Sequence, residues 1–161
     1  MFDLDFITLW IHTLSLCLYF GCVAIFLFLF LPVIDAIEEK QSKQDLLVHG
    51  LRIYNPIQIG SLGVLVVSGA FNLTRYKAQG VNLFLGSFGV NLALKLGLVF
   101  ILIILSVYQT MAIAHPVVRH HQSNHQAFPQ ERLFKKLRIT SWAILLLTAV
   151  VTFVGLELTR R

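Results

Sequence analysis

Two ionisable side chains, His12 and Lys95, interrupt long runs of apolar residues. A charge placed in hydrocarbon is costly, so residues of this kind inside apolar runs usually serve a function. An imidazole can ligate a metal or carry a proton. An ammonium offers three donors and a compact charge. Their polar neighbours recur at helical spacing. Thr8, His12, Ser15, Tyr19 and Cys22 follow one another by four, three, four and three residues, which places all five on one helix face. Gln58, Ser61, Ser68 and Asn72 share a sector of a second helix, and Asn91 and Lys95 share a stripe with Leu98 and Leu102 on a third. If successive helices run antiparallel, His12, Asn72, Lys95 and Glu157 all fall at one end. The expectation is one polar pocket at that end, with His12 as its metal-ligand candidate and Ser15, Tyr19, Asn72, Asn91 and Glu157 among its lining. Lys95 snorkelling to the headgroups, with His12 bonding a neighbouring helix, is the structural alternative.

The elements that must position these residues are membrane spans. The 161 residues are 57% hydrophobic and 13% charged, and the mean hydropathy is +0.76. A soluble domain carries roughly twice that share of charge, so much of this surface must meet lipid. A helix needs about 20 apolar residues to cross a bilayer core. Four runs qualify or nearly do: 7–34, 54–74, 84–114 and 139–158. The intervening segments, 35–52, 75–81 and 115–138, read as connectors, the first charged and open to a partly helical form at the interface, the last opened by Pro116 and broken at Pro129. Short connections predict an all-α membrane protein, a single four-transmembrane-helix antiparallel bundle running up-down-up-down. No internal repeat is evident in the sequence. The first and third connectors hold eight Lys and Arg residues against four on the opposite side. The positive-inside rule therefore predicts both termini outside the cytoplasm. The acidic start and long first run do not fit a cleaved secretory signal, and that run is read as a helix.

Other features point to packing. Cys17 and Cys22 are five residues apart, so they face different sides of a helix and read as small buried hydrophobes. Gly89, Ala93 and Gly97 form a small-residue ridge suited to helix packing or a dimer contact. His115, His120, His121 and His125 sit in a polar connector. The last two have a metal-compatible spacing, but no Cys or acidic ligand lies near, and a solvated loop at anionic headgroups is favoured. One chain offers no second transmembrane histidine at the depth of His12, so a bis-histidine haem site would need a second copy. No Ser-His-Asp arrangement, phosphate loop or paired intramembrane acids appear, which leaves hydrolase and phosphotransfer chemistry without support. The net charge of +5 sits in short loops, so a nucleic-acid partner is not expected.

Several of these segments resemble known membrane families. Trp10-Ile11-His12, Phe20-Gly21 and Leu31-Pro32 resemble the first helix of a copper resistance D (CopD)-like unit. Arg52 through Ser68-Gly69-Ala70 and Asn72 resembles its next helix. Gly89 to Val99 around Leu94-Lys95-Leu96, and Arg132 to Arg138, are similar to later parts. The resemblance implies an integral membrane protein of a bacterial inner membrane, linked to copper handling, with His12 as the ligand to carry over. Family members are usually larger, and Met1 and Met111 are this chain's only methionines. A second similarity is to the HemJ-type protoporphyrinogen oxidases, small four-span haem proteins, through Trp10, Arg52-Ile53-Tyr54 with Pro56, and Lys95 followed by Tyr108. That resemblance implies haem b held near His12, Lys95 and Tyr54. Ser15 and Gln109 stand where that family carries histidines. Copper or haem b is thus the cofactor expectation. The lipid bilayer is the expected surrounding, with a homodimer or a larger membrane redox complex, which this chain would serve as an accessory subunit, as its assembly.

Overall fold

A computed structural model describes residues 4–78, 86–118 and 130–160. The order is α1 (Leu4–Ile25), a π-helical segment (Phe26–Phe30), α2 (Leu31–Asp35), α3 (Lys40–Ala78), α4 (Gly86–Tyr108), a second π-helical segment (Gln109–Ala114) and α5 (Gln130–Arg160). No strand occurs among the described residues. Four stretches are long and apolar enough to cross a membrane: Phe6–Asp35, Lys40–Thr74, Gly89–Val118 and Arg132–Glu157. The chain is an all-α four-helix bundle and a multi-pass membrane protein. Its outward faces carry Leu14, Leu29, Val67, Phe100, Leu146 and Phe153, each more than half exposed on the chain alone. Side chains of that size suit a lipid surrounding, because acyl chains are as apolar as they are.

The helices are longer than their apolar runs. Segment 35–52 is helical over most of its length, in line with a connector that is part helix: only Ala36 to Glu39 leave the helix, and α3 begins at Lys40. The reason is amphipathic patterning. Leu47, Val48, Leu51 and Tyr54 are all buried, so the charged stretch packs one apolar stripe inward. Likewise, the segment after Ala114 is not yet loop. Residues 115–118 remain helical through His115 and Pro116, and residues 130–138 of the same expected connector begin α5. His120, His121, His125 and Pro129 lie outside the described residues, as does Gly80 in the second connector.

Each π-helical segment ends two residues before a proline, Phe30 before Pro32 and Ala114 before Pro116. Proline removes a helix donor and its ring crowds the carbonyl four residues back. Widening the preceding turn relieves that conflict. The Leu31 N–H donates to Phe26 O, and the His115 N–H to Thr110 O, both five residues back. Pro116 therefore adjusts a continuing helix where its residue type suggested a break.

The two halves repeat this design. α1 packs chiefly on α3, and α4 on α5. His12 is fourteen residues before its π segment, and Lys95 is fourteen before its own. In the first hairpin His12 meets Ser68 and Phe26 meets Tyr54. In the second, Lys95 lies against Gly155 and Gln109 meets Ser141. Fourteen residues down one helix match fourteen up its partner in both. Leu-Arg-Ile recurs at 51–53 and 137–139, and both leucines are fully buried. The bundle is thus a tandem pair of helix hairpins, a repeat carried by prolines, glycines and register. So few shared identities left it invisible in the sequence.

At the end bearing the first and third connectors, Asp35 accepts from Arg138 and pairs with Lys43 at 3.5 Å. The Lys43 ammonium sits 4.9 Å over the Phe134 ring. These contacts join the ends of α2, α3 and α5. Being part-exposed pairs, they set alignment more than stability.

Candidate functional site

His12 projects from α1 into the seam with α3. Its Nδ1 is 3.1 Å from Leu65 O and 3.0 Å from Ser68 Oγ. A carbonyl only accepts, so Nδ1–H is the donor. The Ser68 hydroxyl donates to Val64 O at 2.7 Å, which frees its lone pair for His12. In the neutral ring Nε2 then keeps its lone pair. This is the tautomer that second-shell carbonyls impose on ligating histidines. The neighbouring Gly69 makes room: a Cβ there would lie 3.2 Å from His12 Cε1.

Lys95 reaches the same end from α4. It crosses to α5, where a Cβ on Gly155 would lie 3.0 Å from Nζ. His12 and Lys95 are within electrostatic reach of each other, so residues from all four spans converge there. Both side chains are half-buried. Each lies against a glycine of its partner helix, Gly69 for His12 and Gly155 for Lys95. Asn72 and Asn91 are half-buried and Glu157 is exposed. The partners of His12 are Leu65 and Ser68, one turn deeper than Asn72.

Ser15 and Tyr19 are buried below His12. The Tyr19 hydroxyl lies 2.7 Å from Ser106 Oγ, and Ser106 donates to Leu102 O at 2.8 Å, so Tyr19 is the donor of the pair. Gln58 Nε2 donates to Gln109 Oε1 at 3.2 Å, and Gln109 Nε2 donates to Ser141 Oγ at 2.8 Å. Tyr19, Gln58, Ser106, Gln109 and Ser141 are all fully buried. They lie near the middle of their spans, and two of these bonds tie one hairpin to the other. Sequence reasoning did not single out Ser106, Gln109 or Ser141 as site residues. The signal was present for two of them: the stripe through Lys95, Leu98 and Leu102 continues by steps of four and three to Ser106 and Gln109.

Tyr54 belongs elsewhere. Its ring stacks on Phe26 with centroids 4.0 Å apart, and Phe26 stacks on Phe30 at 5.4 Å. Phe26 is fourteen residues from His12, or about 21 Å along a helix. Tyr54 is therefore part of an aromatic plug toward the connector end and does not line the His12–Lys95 site. Cys17 is exposed, Cys22 is half-buried, and neither is in a disulfide.

The donor set tests the cofactor expectation. Among the described residues no three His, Cys, Asp or Glu side chains cluster closely enough to hold a metal ion. His12 fits as one imidazole ligand. A complete copper site or a bis-histidine haem site does not fit within the described residues of one chain. No protein-family model matches the sequence, and no curated protein or solved structure matches it either.

Proposed function

We propose that the chain is a non-catalytic inner-membrane component of copper- or haem-linked handling, in which His12 is one donor of a site completed by a second chain. The observation supporting this reading is the pinned tautomer of His12, which leaves Nε2 with its lone pair within electrostatic reach of Lys95. The resemblance of the first two helices to a copper resistance D-like unit points the same way. Bound there, copper would supply a redox-active or transferable ion, and haem b an electron carrier. The chain's own contribution is to orient the imidazole through Leu65 and Ser68 and to place a cation beside it.

The test is an optical spectrum with metal analysis on protein purified gently from its native membrane. The expected result is copper or a haem signal that falls at least tenfold in His12→Ala, since ligand loss commonly costs more than second-shell changes of 10–100-fold. Colourless, metal-free wild-type protein would overturn the proposal.

A second reading is an accessory subunit of a larger membrane complex. Ala93 and Gly97 are exposed on α4, and a Cβ on Gly97 would meet nothing within 4 Å. Small residues facing outward let another helix approach closely. This reading expects co-purification with a larger assembly in mild detergent and its loss in Gly97→Leu. A lone particle with wild-type sequence would count against it.

A further inference from the structure

The lipid-facing side of α5 opens on a cluster of cations. Arg132, Lys135 and Lys136 are all exposed, and none takes part in an ion pair among the described residues. Their spacing of three and four places them over one helix face. The same face continues as Ile139, Trp142, Leu146 and Phe153, each exposed and apolar. Inward-facing Leu137, Ser141, Ile144 and Thr148 lie on the opposite side. The three cations therefore point in the direction of the lipid-contacting residues and stand at the end of that stripe.

Trp142 marks the depth. Its ring meets Phe28 of the first π-helical segment edge-on, with centroids 5.4 Å apart. Amphipathic tryptophans favour the headgroup boundary. From Lys136 to Trp142 is about 9 Å along the helix, so the ammonium groups reach the phosphate level. The nearest acid on α2, Asp35, is already engaged by Arg138 and Lys43.

We propose that this face is a binding site for an anionic phospholipid, with Arg132, Lys135 and Lys136 holding the phosphate headgroup and Ile139, Trp142 and Leu146 lining the acyl chains. Cations near an anionic bilayer surface contribute about 1 kcal/mol each, close to fivefold in affinity. Three together give a preference on the order of 100-fold over a zwitterionic lipid. A free phosphate would meet the cations but not the apolar stripe.

The test measures lipid retention and thermal stability of the full chain in nanodiscs of phosphatidylglycerol or of phosphatidylcholine with matched acyl chains. Wild-type protein is expected to retain phosphatidylglycerol preferentially through delipidation and to unfold at higher temperature in it. Arg132→Gln/Lys135→Gln/Lys136→Gln removes that preference while leaving stability in phosphatidylcholine unchanged, and Lys135→Arg/Lys136→Arg retains it. Equal retention of the two lipids by wild-type protein, or an unchanged preference in the glutamine variant, would overturn the proposal. So would equal stabilisation by inorganic phosphate added to phosphatidylcholine discs.

Discussion

Gly50→Ala is expected to destabilise the bundle by about 1–3 kcal/mol, the usual cost of forcing volume into a packed site. A Cβ at Gly50 would overlap the Cζ tip of the Phe30 ring. That ring cannot move alone. Phe30 stacks on Phe26, and Phe26 stacks on Tyr54 at 4.0 Å. Phe26 and Phe30 also bound the first π-helical segment, whose widened turn accommodates Pro32. Displacing Phe30 toward lipid opens the stack and disturbs that turn together. Controls are available on the same helix, since a Cβ on Gly60 or Gly63 meets nothing within 4 Å. Alanine there should be neutral or gain up to about 1 kcal/mol from helix propensity. Phe30→Ala should relieve Gly50→Ala, giving a coupling of at least about 1 kcal/mol in a double-mutant cycle. Reversible unfolding in detergent reads all five variants. A Gly50→Ala protein as stable as Gly60→Ala would show that no close approach exists.

That close approach shows what was legible in the sequence and what was not. The four spans were legible, because apolar length leaves few alternatives to a helix in lipid. The inward faces were too: Ser15, Tyr19, Gln58, Ser61 and Ser68 are all buried. Helix ends were harder, because propensity and an amphipathic stripe carry a helix past its apolar run, as Leu47 to Tyr54 do. Pro116 suggested a break, and the helix continues through it for a physical reason: a turn that widens by one residue makes proline compatible with a continuing helix. At the site, two contacts depend on which helix lies opposite. The glycines that receive His12 and Lys95, and the register that separates Tyr54 from His12, have no signature along a single helix. The mid-membrane bonds follow the same logic, since Ser141 matters only once α5 faces Gln109.

Those bonds carry the second large effect. Gln109→Ala is expected to cost roughly 2–4 kcal/mol, because it strands two buried polar groups at roughly 1–3 kcal/mol each. Gln58 Nε2 loses its acceptor and Ser141 Oγ loses its donor. Gln58 is hit hardest, since its Oε1 has no hydrogen-bond partner among the described residues. Ser141→Ala removes one bond and leaves one amide hydrogen, so its cost should be nearer the ~0.6 kcal/mol average for hydrogen bonds inside membranes. Gln58→Leu/Gln109→Leu should cost less than the two single changes added, because replacing both partners leaves fewer polar groups stranded. The sign of that coupling distinguishes two roles. A bonded pair that only joins the hairpins is replaceable by apolar packing, so the double variant keeps the fold and any metal or haem signal of the kind proposed for His12. Loss of that signal in a stably folded double variant would place the mid-membrane layer in the functional path. It would also mean that the site at the terminal end depends on how the two hairpins are held together.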